Sequence, residues 1–159
     1  MPRKIRPIRV CGDVAYITLT QGREAIIDAN RISLIRHWNW NFSRGYAVRK
    51  QSGHAIYLHR AILMPSSSLV VDHIDGDGLD CRISNLRACT NQQNCSNQRI
   101  SKNNTTGFKG VVRRGERFEA SIRAGGKRIY LGVYDTPEEA FGMYCRASEK
   151  YHGDFGRTS

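Results

Sequence analysis

Two segments near the carboxyl end alternate apolar and polar residues, and a pair of glycines separates them. The alternation runs through residues 117–123 and again through residues 128–134, and a period of two is typical of half-buried β-strands. Gly125-Gly126 suits the tight turn of a hairpin, where the backbone adopts positive φ. The pattern therefore predicts an antiparallel hairpin whose buried face carries Phe118, Ala120, Ile122, Ile129, Leu131 and Val133.

A helix is predicted directly after the second strand. Thr136 suits an N-cap, Pro137 the first helical position, and Glu139 a capping acid. Apolar residues then recur at helical spacing, and their stripe would cover the apolar face of the sheet. Residues 107–159 are thus predicted to form a three-stranded antiparallel sheet packed on one helix. The stripe comprises Ala140, Met143, Tyr144, Ala147 and Tyr151.

The chain is strongly basic. Its 159 residues include 25 Lys and Arg against 14 Asp and Glu, a net charge of +11. Such an excess predicts an anionic partner, either nucleic acid or a membrane surface. No apolar run approaches the ~20 residues that span a bilayer, and the amino end has no apolar signal core. We therefore exclude a secreted or integral membrane protein. Five cysteines without a CxxC pair indicate buried, reduced thiols in a cytoplasm.

The first third of the chain reads as a scaffold of short strands. Val14–Leu19 and Glu24–Asp28 flank a Gln21-Gly22 turn, while Gly45–Arg49 and Ala55–Leu58 form a later pair. These strands are predicted to lead into the segment that carries the chemistry.

Three further predictions concern the same scaffold. Ile32, Ile35 and Trp38 indicate a short helix or turn between the strand pairs. Trp38 and Trp40 are expected in the core, and a role as base-stacking platforms is the alternative. A basic arm at the amino end is expected to touch phosphate, and it comprises Arg3, Lys4, Arg6 and Arg9.

The middle segment is neutral within this basic chain, and its acids are clustered. Residues 59–101 carry four basic and four acidic side chains, and all four acids fall within nine residues. A bound cation is the usual cause of such a cluster in a protein that binds polyanions, and a solvated acidic turn is the alternative. The acids are Asp72, Asp75, Asp77 and Asp80.

The order of elements around these acids is a strand, a turn, a strand and a polar helix. Leu69–Val71 is a short strand that runs into Asp72-His73, and residues 83–88 read as the returning strand. Thr90 with Gln93 forms a capping box that opens a helix over residues 91–99. That helix has almost no apolar face, so its asparagines are expected to serve a site rather than a core.

The combination of Asp72-His73, Asn85-Leu86 and Asn94 resembles the His-Asn-His (HNH) endonucleases. Their motif is a β-hairpin followed by a helix that together grip one divalent metal, the ββα-metal unit. The resemblance extends upstream to His59-Arg60, which is similar to a lead-in helix of phage and intron-encoded members. His59 is expected to be structural, and contact with the scissile phosphate is the alternative. The resemblance covers residues 57–99.

The resemblance and the chemistry assign a role to each motif residue. His73 is the expected general base, since an imidazole of pKa ~6.5 is largely neutral near pH 7. Asn85 is expected to hold the hairpin and orient His73. Asp72 and Asn94 are the expected ligands of one Mg²⁺ or Mn²⁺ ion, because both offer hard oxygen donors. Many HNH enzymes place a second histidine where Asn94 stands, so metal preference is expected to differ here.

A calcium-binding EF-hand is the competing explanation of the acidic loop. Its loop needs oxygen ligands at alternate positions and a Glu at the twelfth. Counted from Asp72, Ile74 falls at the third position and Ile83 at the twelfth. This alternative therefore fails.

The carboxyl-terminal module resembles the Apetala-two/ethylene-response-factor DNA-binding domain. The resemblance rests on Gly107–Val111, Tyr130–Thr136 and His152-Gly153, and it implies a sheet that lies on duplex DNA. A Trp near Gly115 and an Arg at Val112, typical of plant members, are absent, so phosphate contacts are expected rather than base reading. The expected DNA-binding residues are Lys109, Arg113, Arg114, Arg117, Arg123, Lys127, Arg128 and Tyr130.

The sequence thus predicts an α+β protein of two modules. An HNH domain over residues 1–101 comprises a β-rich lead-in (1–56) and a ββα-metal core (57–101); a linker (102–106) and the DNA-binding domain (107–159) follow. The predicted function is metal-dependent cleavage of duplex DNA, with nicking of one strand, by a cytoplasmic monomer or homodimer of the phage or mobile-element homing type. The alternatives are a non-catalytic, sequence-specific DNA-binding regulator with a relict HNH fold, and an RNA binder.

Overall fold

The computed structural model describes residues 4–158, so Arg3 of the expected basic arm lies outside the described residues. Contacts between Cα atoms divide the chain into two compact units, Met1–Cys89 and Thr90–Ser159. These contacts group the predicted polar helix (residues 91–99) with the second unit, whereas the sequence predicts a boundary at residues 102–106. We describe each unit separately.

The first sheet of the amino-terminal unit has three antiparallel strands in the order β1-β2-β3. β1 spans Ile8–Cys11, β2 Val14–Thr18 and β3 Glu24–Asp28. β2 and β3 confirm the predicted pair. The sequence does not predict β1. Arg9 of the expected basic arm lies in this edge strand, whose residues pair in register with those of β2.

A second antiparallel sheet follows, in the order β4-β5-β6. β4 spans Asn41–Ser43, β5 Tyr46–Gln51 and β6 His54–Tyr57. Two-residue turns at 44–45 and 52–53 join them, and both residues of each turn have positive φ, as type I′ hairpin turns require. β5 and β6 confirm the later predicted pair, whereas β4 is an addition.

Two short helices and a third sheet complete the unit. α1 spans Ile32–Ile35, and α2 spans Leu58–Leu63 at the predicted lead-in position. β7, Val70–His73, pairs antiparallel with β8, Leu86–Cys89. The returning strand therefore begins at Leu86 and not at residue 83.

One hydrophobic core joins the sheets and helices of this unit. Trp40 is 1% exposed, and its indole N–H donates to the Ile35 carbonyl over 3.3 Å. Trp38, by contrast, is 42% exposed, so the prediction that both tryptophans are buried is wrong for Trp38. The core comprises Ala15, Ile17, Leu19, Ala25, Ile27, Ile35, Trp40, Ala47, Leu58, Ile62, Val71, Cys81 and Leu86.

The carboxyl-terminal unit begins with the polar helix α3, which spans Asn91–Ser96. The predicted capping box is present, since Gln93 N–H donates to the Thr90 hydroxyl and the Gln93 side chain accepts from Thr90 N–H. α3 ends before the predicted residue 99. Cys95, Ser96 and Asn97 are weak helix formers, and the segment has no apolar face that would stabilise further turns.

The predicted sheet and helix follow. β9 spans Val111–Arg114, β10 Arg117–Ala124 and β11 Lys127–Tyr134, in the antiparallel order β11-β10-β9. α4 spans Pro137–His152 and begins with the predicted capping box at Thr136. No helix among residues 4–158 is long and apolar enough to cross a membrane. The fold class, α+β with antiparallel sheets, is confirmed.

A β-bulge changes which residues of β11 face the helix. Ser121 pairs with Tyr130 and Ala120 pairs with Gly132, which leaves Leu131 as the extra residue. The bulge inverts the alternation beyond it, so Tyr134 lies opposite Phe118 and contacts the core while Val133 lies opposite Glu119. The prediction of a buried Val133 is therefore wrong.

Two smaller expectations also need correction. Tyr151 was placed on the buried stripe of α4 but is 43% exposed. All five cysteines are free thiols, but Cys81 and Cys89 are buried whereas Cys11 and Cys95 are exposed. The prediction that the thiols are buried is thus correct only in part.

Candidate active site and nucleic-acid interface

His73 is the last residue of β7 and lies opposite Leu86 of β8. Its side chain is buried, with 6% exposed. Burial lowers the pKa of His73 from its ordinary value of 6.5, and the carboxylates of Asp75 and Asp72 offset part of that effect. The imidazole is therefore neutral at pH 7, the state in which it can accept a proton.

Asn85 fastens the loop that follows His73. Its carbonyl accepts from Ile74 N–H over 2.9 Å, and its Oδ1 accepts from Asp75 N–H over 3.0 Å. Its Nδ2 donates to Asp75 Oδ1 and to the Asp80 carbonyl, each over 2.9 Å. One buried amide thus ties both ends of the acidic loop and sets the backbone on the carboxyl side of His73.

Asp72 is buried beside an arginine that the sequence reading did not assign. It is 4% exposed and lies directly opposite Arg87 in the β7–β8 ladder. Arg87 donates to Asp72 Oδ2 from Nε over 2.8 Å, and its Nη2 lies 2.7 Å from the same oxygen. Opposite residues in a ladder share a face. The pairing of Asp72 with Arg87 could therefore be predicted only once the strand register is known.

The other three acids of the cluster support the loop itself. Asp75 Oδ1 accepts from Asp77 N–H over 2.7 Å, and Asp77 Oδ1 accepts from Leu79 N–H over 2.9 Å. Asp80 accepts from the guanidinium of Arg82, and this hydrogen bond lowers the pKa of the Asp80 carboxyl. Side-chain caps of this kind are typical of Asp in turns, so the acidic-turn alternative explains three of the four acids.

An aromatic cluster surrounds the His73 ring. The His59 ring meets it edge to face with centroids 4.9 Å apart, and the Tyr46 ring lies 5.9 Å away. Tyr57 stacks on His59 at 5.3 Å. Burial, His73 and Arg60 lower the pKa of His59 to about 3, so it is neutral at pH 7. The sequence predicted His59 as structural and did not place either tyrosine near the site.

Asn94 lies in α3, in the second unit, and its backbone N–H donates to Thr90 over 3.0 Å. Its convergence with Asp72 on one ion stays a prediction. The side chains of the described residues limit which ligands such an ion could have. Among residues 4–158, no group of three or more His, Cys, Asp or Glu side chains could hold a metal ion. A site on Asp72 would therefore complete its ligands with amide, water or phosphate oxygens, and an asparagine suits that set.

The predicted DNA-binding residues of the second unit fall into two groups. Arg114 and Arg117 are paired across β9 and β10, and Arg123 and Arg128 across β10 and β11. They share the side of the sheet that also carries Tyr130, which is 63% exposed.

A half-buried acid pairs with two cations of this basic side. Glu119 accepts from Arg128 over 2.7 Å and from Arg114 over 3.1 Å. Arg117 pairs with the exposed Asp135 at 2.9 Å. The sequence does not predict that a single carboxylate pairs with two of these cations.

The structure does not bring the remaining three residues to that side. Lys109 is half-buried and donates to the carbonyls of Ser96 and Gln98 over 2.8 and 2.6 Å. Burial and Arg157 lower the pKa of Lys109 to about 8. Arg113 lies opposite the inward-facing Phe118, and Lys127 closes the hairpin opposite Ala124. DNA contact by these three residues stays a prediction.

Comparison with known proteins decides the family. A family model described as HNH endonuclease matches residues 63–95, the span from α2 to the middle of α3. The chain is 30% identical over 158 residues to "Uncharacterized HNH endonuclease L560" of Acanthamoeba polyphaga mimivirus, covering 92% of this chain and 81% of that relative. The chain belongs to the HNH endonuclease family.

A second relative of this HNH endonuclease comes from a bacteriophage. "Protein 3.8" of Escherichia phage T7 is 34% identical over 89 residues, which is 55% of this chain and 73% of the relative. No solved structure matches. Family membership makes the protein a nuclease with DNA as the substrate of its class, and HNH nucleases are generally dependent on a divalent metal.

Proposed function

We propose that this HNH endonuclease hydrolyses phosphodiester bonds of duplex DNA with a divalent metal ion and His73 as the general base. The observation that carries the proposal is a buried, neutral imidazole at the end of β7, where the carboxylates of Asp75 and Asp72 offset part of the effect of burial on its pKa. A neutral imidazole can take the proton of an attacking water, and its burial excludes competing solvent.

Two residues around His73 support that role. The four hydrogen bonds of Asn85 hold the loop beyond His73, so Asn85 would orient the base rather than react. Arg87 would hold the Asp72 carboxylate in one rotamer through Oδ2. Such support is needed because catalytic geometry tolerates only about 0.5 Å of error.

Asp72, with Asn94 as the second ligand proposed from the sequence, would hold one Mg²⁺ or Mn²⁺ ion. A hard cation supplies charge stabilisation for the phosphoryl oxygens and the departing 3′ oxygen. The oxygen donors of both side chains suit either ion.

The basic side of the carboxyl-terminal sheet would dock on the substrate. Arg114, Arg123 and Arg128 are exposed on one side of the sheet, and Glu119 pairs with Arg114 and Arg128. Exposed guanidinium groups of this kind can contact phosphates of a backbone. We propose that this unit acts as an Apetala-two-like DNA-binding domain, as its sequence suggests.

The remaining predictions follow from the proposal. One site per chain favours a nick in one strand by a monomer, and a homodimer could cut both strands. The relative from Escherichia phage T7 supports a phage or mobile-element nuclease. We extend the proposal to an enzyme of homing type that acts in the cytoplasm of a host cell.

Cutting of supercoiled plasmid with Mg²⁺ or Mn²⁺, and its loss with EDTA, tests the proposal. His73→Ala should abolish cutting while leaving duplex affinity within about twofold, since a base contributes to the reaction far more than to binding. His54→Ala is the matched control, because His54 is an exposed histidine of β6 in the same unit. Metal-dependent cutting by purified His73→Ala would refute the assigned base.

A non-catalytic DNA-binding regulator is the alternative. It would bind duplex DNA without metal and leave plasmid intact at every Mg²⁺ and Mn²⁺ concentration. The buried base and the Asn85 clamp favour the nuclease, because neither is required for a binding surface.

A further inference from the structure

The amino-terminal unit contains a long segment without acids. No Asp or Glu occurs between Asp28 and Asp72, and this stretch holds six Lys and Arg residues. It forms α1, the sheet β4–β5–β6 and α2. The function proposed for the C-terminal sheet does not use this concentration of positive charge.

Part of this segment lines a groove of about 540 Å³ in the amino-terminal unit. The wall combines the cations Arg49 and Lys50 with His37, the indole of Trp38 and the polar side chains of Asn41 and Ser43. None of the lining residues is acidic. Positive charge beside an aromatic face is the combination that nucleic acids bind, with phosphates on the cations and sugars or bases on the ring.

Trp38 is the unusual member of this wall. It is 42% exposed although tryptophan is normally well buried. The Arg49 guanidinium lies over its ring, 4.2 Å from the centroid, and the His37 ring meets it edge to face at 6.2 Å. These contacts hold the indole in one orientation, so an exposed apolar face is preorganised for a ligand.

The outer face of β5 runs from this groove towards the proposed catalytic base. Tyr46, Val48 and Lys50 alternate with the buried Ala47, so they share the outer face of β5. Lys50 and Val48 line the groove, and Tyr46 at the other end of the strand lies 5.9 Å from the His73 ring. Tyr46 is 38% exposed. One strand face therefore connects the groove with the active site.

We propose that the outer face of β5 and the Trp38 groove bind the DNA that flanks the cleaved bond. Lys50, Arg49 and His37 contact its phosphates, and Trp38 contacts a sugar or base. This surface belongs to the nuclease unit itself and adds to the C-terminal sheet as a second DNA contact. The proposal rests on the proposed function, because it takes duplex DNA as the ligand.

Tryptophan fluorescence tests the proposal at a single residue. The chain holds two tryptophans, and Trp40 is 1% exposed, so acrylamide quenching reports mainly on Trp38. We expect a saturating short duplex, added in EDTA to prevent cutting, to lower the quenching constant of the full-length protein. Trp38→Phe should show a small quenching constant that the duplex does not change. Anisotropy of a labelled duplex verifies saturation in the same buffer.

Charge reversal provides an independent arm. Lys50→Glu should weaken duplex affinity by about three- to tenfold, and Lys50→Ala should reduce the salt slope of binding by about one, as loss of one phosphate contact predicts. Lys150→Glu is the matched control because Lys150 is an exposed lysine of α4 outside both proposed surfaces. It should change affinity by less than about twofold.

The outcomes separate this inference from the proposed function. An unchanged quenching constant at saturating duplex overturns the inference, as does equal affinity of Lys50→Glu and Lys150→Glu. If Mg²⁺-dependent cutting persists in that case, the proposed function stands alone. If Trp38 is protected but no divalent metal supports cutting, the binding surface stands and the proposed function fails. Absence of any duplex binding overturns both.

Discussion

The imidazole of His59 meets that of His73 edge to face, with ring centroids 4.9 Å apart. His59 is 9% exposed and is itself stacked on Tyr57. Two neutral rings from α2 and β7 thus pack against each other at the centre of the site. Because both are buried without charge, their surroundings make the stability of this unit dependent on pH.

Replacing His59 by Phe should remove part of that pH dependence. The pKa of His59 is about 3 in the folded state and ~6.5 in the unfolded chain. Below pH ~6.5 the unfolded chain binds a proton that the folded state does not, so stability falls as pH falls towards about 3. Between pH 7 and pH 5 the wild type should lose about 2 kcal/mol through His59 that His59→Phe does not lose.

Urea unfolding at pH 7, 6 and 5 measures this difference, with His54→Phe as the exposed-histidine control. Parallel pH profiles of the free energy of unfolding for wild type and His59→Phe would contradict the lowered pKa of His59.

Removing Arg87 should destabilise the hairpin. Its guanidinium holds the buried carboxylate of Asp72 through Oδ2, and the loss leaves a buried charge without that partner. Arg87→Met should therefore lower the free energy of unfolding by about 2–4 kcal/mol. Arg87→Met with Asp72→Asn should recover part of the loss, and a urea-based double-mutant cycle measures the coupling. Additive effects would show that the pair contributes nothing.

Asn85→Ala should damage both stability and cutting. It leaves the Asp75 N–H and the Asp80 carbonyl without their present side-chain partner, at a cost of about 1–3 kcal/mol. The plasmid assay should show a lower rate even under conditions where the variant is fully folded by circular dichroism. Asn104→Ala is a suitable control, because Asn104 caps a turn far along the sequence in the other unit. Full activity of folded Asn85→Ala would exclude an orienting role.

Two glycine-to-alanine changes should act in opposite directions. A Cβ at Gly78 would overlap the Gly45 carbonyl and approach Tyr46 Cδ1 to 2.6 Å, so Gly78→Ala must displace the acidic loop or Tyr46. A Cβ at Gly142 in α4 meets nothing within 4 Å, so Gly142→Ala should stabilise the protein by about 0.5–1 kcal/mol. Thermal unfolding compares the two. An unchanged melting temperature of Gly78→Ala would show that Gly78 packs loosely against Gly45 and Tyr46.

Local patterns in the sequence determined most elements of the fold. The capping boxes at Thr90 and Thr136 and the turn at Gly125-Gly126 are present as predicted. They depend on backbone geometry and on hydrogen bonds within a few residues, and such information lies in neighbouring letters. The sequence also predicts the motif that includes His73 and Asn85, because its residues lie along one hairpin.

Only the tertiary structure decided the features that depend on register or on distant partners. The bulge at Leu131 turned Tyr134 inward and Val133 away, and alternation alone cannot reveal an extra residue. Trp38 is 42% exposed and packs against Arg49 of β5, a residue distant from it in sequence. His59 reached His73, and Arg87 reached Asp72, through packing between elements. A residue's type and spacing determine its chemistry, but its neighbours across the fold determine what that chemistry acts on.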